Sequence, residues 1–160
     1  MMDAKLQTYL SSIEEVTREI FWMGSPNKIA QYISSKLSQT LGDKIQYAFL
    51  HRASNQIYES AHMDSNLKHL LPFFMTEKFI DKIKELNWSI VDTRGVKFVF
   101  DEVMDQSFNI DKPFLIIPRK KGSNITNFSV VWGGSVLERI DKQEVDFVSS
   151  ICNAAESRIL

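Results

Sequence analysis

His62, Asp64 and Ser65 bring the three residue types of a nucleophilic triad into one short stretch of chain. A working triad is assembled in space from separated segments and needs an oxyanion hole across from the nucleophile. Sequence neighbours do not meet that requirement, so no catalytic residue is assigned. His51, His62 and His69 are metal-ligand types, but no two stand at the i, i+4 spacing that sets two ligands on one helix face. Asp101, Glu102 and Asp105 offer the oxygens calcium prefers, without the EF-hand spacing or its glycine. No metal site is expected. Cys152 is the single cysteine, which excludes an internal disulfide and a zinc site built on several thiolates. It falls on an apolar stripe, where a thiol is buried and inert. Arg119-Lys120-Lys121 is too short a basic run, and too bare of stacking partners, to hold nucleic acid.

The elements around these residues belong to an ordinary globular chain. It has 160 residues, 44% hydrophobic and 24% charged, which is the size of one domain with a core of its own. Nineteen basic and twenty acidic residues leave a net charge of −1, with no overall field to draw nucleic acid or an anionic membrane. The N-terminus lacks a basic region followed by an apolar stretch, so no signal peptide is read. The most apolar window, 70–75, is far shorter than the roughly 20 residues that span a bilayer. With one unpaired thiol, the expected setting is cytoplasmic.

Residues 3–23 read as a helix. Leu6, Ile13 and Ile20 recur every seven, and Tyr9, Val16 and Met23 interleave, forming a coiled-coil-like seam. Gly24-Ser25-Pro26 ends it and opens a second helix with Ile29, Ile33, Leu37 and Leu41 on one face. A strand over 45–52 points Ile45, Tyr47, Phe49 and His51 one way and Ala48 and Leu50 the other, and 56–61 returns beside it. A helix is expected over 76–86, an extended piece over 88–91, a strand over 96–100 and a loop over 101–112. The strands 113–119 and 127–133 form a hairpin around Gly122-Ser123-Asn124. Asp141 and Glu144 make a capping box for a final amphipathic helix that carries Val145, Val148, Cys152, Ala155 and Ile159. Its uncapped end at Leu160 suggests a longer parent chain.

Both strands of the late hairpin are apolar on both faces: Phe114 and Ile116 oppose Leu115 and Ile117, and Phe128, Val130 and Trp132 oppose Val131. Such strands are central, with a layer on each side. The fold class is therefore α+β, a central antiparallel sheet of five or six strands with helices on both faces.

This order of elements resembles a GAF domain. The resemblance is carried by the run from Pro113 to Arg119 with its internal Pro118, by the glycine-ended run from Phe128 to Gly133, and by the acidic start Asp141-Lys142-Gln143-Glu144 of the closing helix. It covers residues 25–160, with residues 1–24 as a dimerisation or relay helix. It implies a sensory module that binds a small molecule on the sheet face opposite the terminal helices. It also implies a homodimer through the N- and C-terminal helices, and an output partner such as a histidine kinase or cyclase. PAS domains, related in fold, rank second because they lack two long N-terminal helices. The alternatives in function are a ligand-free relay module and, behind both, a small enzyme. The Asn-Lys-x-x-Phe-Asp-Glu run of cyclic-nucleotide-binding members is missing, and Cys152 lies too deep in the closing helix to attach a bilin. No cofactor is named.

With the pocket placed between the sheet and residues 64–86, the resemblance implies apolar walls from Phe74, Phe98, Phe100 and Trp132. Arg94 or His51 would orient the ligand, since an arginine fork suits a carboxylate or phosphate. Pro72 interrupts the roof segment and would let it open.

Overall fold

The computed structural model describes residues 3–61, 65–104, 110 and 112–159. His62 and Asp64 of the triad reading, and Asp105 of the calcium reading, lie outside the described residues. The chain begins with α1 (Ala4–Ile20) and α2 (Pro26–Leu41). Asp3 caps α1 by accepting the Lys5 N–H at 2.9 Å. Gly42 ends α2 in the left-handed region, at φ 73°, which costs a glycine nothing. Strands β1 (Gln46–His51) and β2 (Gln56–Glu59) follow, then α3 (Ser65–Leu70), a 3₁₀ turn Leu71–Met75, α4 (Glu77–Leu86) and the two-residue β3 (Val91–Asp92). Helix α5 (Thr93–Met104) leads to β4 (Phe114–Lys121), β5 (Asn124–Trp132), a second 3₁₀ turn Ser135–Arg139 and α6 (Lys142–Ile159).

The described residues form one five-stranded antiparallel sheet in the order β2-β1-β5-β4-β3. The two-period alternation sorts the core into two layers, as the sequence predicts. Ile45, Tyr47, Phe49, Leu115, Ile117 and Val131 pack under α1, α2 and α6. Ala48, Leu50, Phe114, Ile116, Phe128, Val130 and Trp132 pack under α3, α4 and α5. The capping box forms in both directions, with the Glu144 N–H donating to Asp141 at 2.7 Å and the Asp141 N–H to Glu144 at 3.2 Å. From the α1 seam, Tyr9, Val16 and Ile20 are buried in the chain's own core, with Tyr9 stacked on Phe147 at 4.5 Å. Much of the seam thus serves this domain's packing.

One element is corrected. Residues 96–100 are not a strand but the middle of α5, and the helix runs on through residues expected to be loop. The string Val96-Lys97-Phe98-Val99-Phe100 satisfies alternation, yet Val96, Val99, Phe100 and Val103 also recur at helical spacing, and these are the residues turned into the core. The fifth strand is β3 instead, paired to β4 only through Val91↔Ile116 and Asp92↔Leu115.

Gly133 closes β5 at φ 101°, where an added Cβ would stand 3.3 Å from the Lys44 carbonyl oxygen. Both the dihedral and the neighbour disfavour any side chain. Gly133→Ala is expected to cost about 1–3 kcal/mol, read as a lower urea midpoint at unchanged slope. An unchanged midpoint would show that the β5 end adjusts freely.

Candidate ligand-binding site

The space expected to be a pocket is filled. Phe74, Phe100 and Trp132 are fully buried among Phe79, Phe114 and Phe128. Ring centroids lie at 5.1 Å for Phe74–Phe100, 5.2 Å for Phe79–Phe100 and 5.3 Å for Phe74–Phe79, distances of direct aromatic packing. Pro72 is accommodated in the first 3₁₀ turn, with Leu71 and Phe74 turned inward as core. The Trp132 indole N–H is buried there, without a hydrogen-bond partner among the described residues.

The six expected site residues do not converge. His51 lies on the terminal-helix face of β1, stacked with Phe49 at 6.3 Å, its Nδ1 2.6 Å from Ser54 Oγ. Strands β5 and β4 separate β1 from β3, so roughly 14 Å of sheet divides His51 from the Arg94 edge. Arg94 and Phe98 do come together. One helical turn apart on α5, they share a face, and both are exposed.

That face borders an open groove of about 640 Å³ along the β3 edge. Its floor is Val91 and Leu115. One wall is Trp88, Arg94 and Phe98, and the other is Ile140, just ahead of α6, and Val145 in its first turn. Trp88 and Phe98 tilt toward each other with centroids 6.4 Å apart. Gly95 permits this approach, since a Cβ there would meet Val91 at 3.0 Å and the Trp88 ring at 3.3 Å. Asp92 starts α5 by accepting the Gly95 N–H at 3.0 Å. Thr93 Oγ1 donates to the Phe114 carbonyl at 3.2 Å and accepts the Phe114 N–H, which ties the α5 start to β4. Arg94 also borders a second cleft of about 550 Å³ with Pro113, Leu137 and Glu138.

The groove joins an apolar trough to one cation. No hydrogen bond or ion pair engages Arg94 among the described residues, whereas its neighbour Lys97 is held by Asp101 at 2.7 Å. Beside its apolar residues the lining carries one cation, Arg94, and one carboxylate, Asp92. Among the described residues no group of three or more His, Cys, Asp or Glu is placed to hold a metal.

A second polar feature lies beneath α6. Glu156 is fully buried, its carboxylate accepting from Ser129 Oγ at 2.7 Å and from Arg119 at 3.2 Å. Ser129 in turn lies 3.0 Å from the Tyr47 hydroxyl. Burial pushes the Glu156 carboxyl above the ordinary glutamate range, against the pull of Ser129 and Arg119. Burial likewise raises the Tyr47 phenol and the Cys152 thiol, leaving that thiol inert.

Sequence reasoning did not single out Trp88, Ile140 or Val145 as groove residues, nor Glu156. For Glu156 a signal was present: it follows Cys152 by four on the buried stripe, so a carboxylate must enter the core. Nothing local marks the other three, because the groove forms only where β3, α5 and α6 meet.

No protein-family model matches the sequence, and none of the curated proteins does. Solved structures do. The GAF domain of an Acinetobacter phosphoenolpyruvate-protein phosphotransferase shares 11% identity at a TM-score of 0.59, over 94% of this chain and 91% of that one. The corresponding GAF domain from Coxiella burnetii shares 11% identity at a TM-score of 0.55, over 94% and 92%. No helix among the described residues is long and apolar enough to cross a membrane. Helices α1, α2 and α6 on one face of a β2-β1-β5-β4-β3 sheet, with the middle helices on the other, give this chain the fold of a GAF domain.

Proposed function

We propose that this chain is a non-catalytic sensory module that binds a small molecule at the β3 edge and relays its presence through α6 and α1 to an output partner. The observation that carries the reading is the make-up of the groove: α5 and the start of α6 are its two walls. An occupant would therefore touch the terminal-helix layer directly. Arg158 extends the connection, donating to the carbonyls of Phe21 at 3.3 Å and Met23 at 3.0 Å, so the end of α6 holds the end of α1.

Both similar structures are GAF domains of phosphotransferases, which supports a place in a larger, cytoplasmic signalling protein, with a histidine kinase or cyclase among the candidate outputs. Leu10 on α1 and Phe21 and Trp22 just beyond its end stay exposed, Trp22 at 79%, and supply apolar surface for a homodimer through the terminal helices. The Arg94 groove takes the place of the pocket expected above the sheet. Of the six residues named from sequence, Arg94 and Phe98 remain in the proposed site.

The test is amide hydrogen exchange on the chain with and without compounds from a thermal-shift screen. Slowed exchange in α5 together with a changed rate in α6 and α1 is the expected result. Hits that leave both terminal helices unaffected would overturn the relay. The filled interior favours a second reading, a ligand-free dimerisation module, which predicts a dimer by light scattering and no hits at all.

A further inference from the structure

We infer that the β3-edge groove selects a monoanionic carboxylate carried on an apolar body, in preference to phosphates and neutral molecules. The inference rests on the sensory reading above and names the ligand class of that same groove.

The walls decide the body of the ligand. Phe98 is 52% exposed although it is a large apolar side chain, and it tilts against Trp88 on the same wall rather than turning into the core. Leu115 and Val91 lie beneath, and Ile140 and Val145 stand opposite. A flat or extended hydrocarbon would cover all of these at once and release water from them.

The charges decide the head. Arg94 is the only cation in the lining, and it is unpaired among the described residues. Its planar fork accepts a carboxylate through two parallel hydrogen bonds. It sits in the first turn of α5, where the helix field also favours a negative group. Asp92 flanks it on the groove side and Glu138 in the adjoining cleft. These two carboxylates against one cation leave the surroundings net negative, so every charge on the ligand beyond the one Arg94 pairs with is opposed: a monocarboxylate brings one, a dianionic phosphate or a polyphosphate brings more. Spacing supports the pairing. Arg94 and Phe98 project from one face a helical turn apart, so a head on Arg94 leaves the attached body over Phe98 and Trp88.

The experiment is an NMR titration of the whole chain with three probes: 4-phenylbutyrate, 4-phenylbutanol and inorganic phosphate. Expected are saturable amide shifts at Arg94, Phe98 and Val145 with phenylbutyrate, and binding at least about tenfold weaker for the alcohol. Phosphate should leave those amides in place. Arg94→Gln should weaken phenylbutyrate about tenfold or more and leave the alcohol unaffected, and Phe98→Ala should weaken both. Both side chains are exposed, so each variant should keep the wild-type amide spectrum away from the groove. Equal binding of alcohol and acid, phosphate binding at Arg94, an unaffected Arg94→Gln, or no saturable shift with any probe would overturn the inference. The two levels separate cleanly. A neutral molecule that fills the groove and slows exchange in α6 removes this ligand class and leaves the sensory reading. Phenylbutyrate that binds without altering α6 or α1 does the reverse.

Discussion

Phe100→Ala is expected to lower the unfolding free energy by about 3–5 kcal/mol, whereas Phe98→Ala, two residues earlier, should leave it within about 0.5 kcal/mol of wild type. The contrast follows from α5. On a strand the two rings would share a face. On the helix they point to different sides, and Phe100 is fully buried while Phe98 is half exposed. Phe100 contacts the rings of Phe73, Phe74 and Phe79 at 6.4, 5.1 and 5.2 Å. Truncating it removes the transfer energy of a benzyl group and leaves a cavity that three helices and the sheet cannot close without moving. Phe98 loses only its contact with Trp88. Urea unfolding of both variants is the measurement. Similar losses in the two would mean that 96–100 is a strand after all, and would move Phe98 out of the proposed site.

The second large effect is a pH dependence that belongs to Glu156. Its carboxyl is held above the ordinary range chiefly by burial, which Ser129 and Arg119 offset only in part. The folded chain therefore holds this proton more tightly than the unfolded chain does. The resulting stability is fully present below the unfolded value, about 4.3 for glutamate, and is lost as pH rises through the raised folded value. Above that, the chain carries an ionised carboxylate in its core. Each tenfold difference in proton affinity is worth about 1.4 kcal/mol. On a chain of this size that amounts to about 3–6 °C in melting temperature. Glu156→Gln keeps the acceptor for Ser129 and removes the titration. The wild-type melting temperature minus that of Glu156→Gln should fall as pH rises above about 4 and level off once pH has passed the raised folded value. The groups around Glu156 fix the companion result. From β4 it meets Arg119, from β5 Ser129, from β1 Tyr47 through Ser129, and from its own helix Cys152; α1 and α2 contribute no charge to its shift. Arg119→Met deletes the single cation and should displace the fall to higher pH. A difference that instead rises with pH would mean that Arg119 outweighs burial.

Glu156 lies at the opposite end of α6 from Val145. One end of the closing helix walls the groove, and the other is seated by a buried carboxyl whose direct partners lie on β4 and β5. A pair with only one partner buried, Glu156 under α6 and Arg119 partly exposed, is a weak source of stability and a constraint on geometry. That suits a helix proposed to shift as a unit.

What the sequence determined by itself is the set of local rules that one residue imposes on its neighbours. Gly42 and the Asp141–Glu144 box place helix ends because caps act within a single turn. The alternation in β1, β4 and β5 assigns each side chain to a face because successive Cβ atoms point oppositely. Double-sided apolar strands make the sheet central, which leaves a three-layered α+β fold whose order of elements already resembles a GAF domain. Only the tertiary structure decided between helix and strand at 96–100, where one string of residues satisfies both periods. The helix is the conformation that puts Val96, Val99 and Phe100 together against Phe74 and Phe79. It also decided the site. Phe74, Phe100 and Trp132 became core because nothing in their own segments records how closely α4 and α5 settle on the sheet. Arg94 and Phe98 met Ile140 and Val145 because β3 is a two-residue edge strand, and what lies beyond a sheet edge depends on segments distant in the chain. Local patterns set which way a side chain faces; the packing of distant elements sets what it faces.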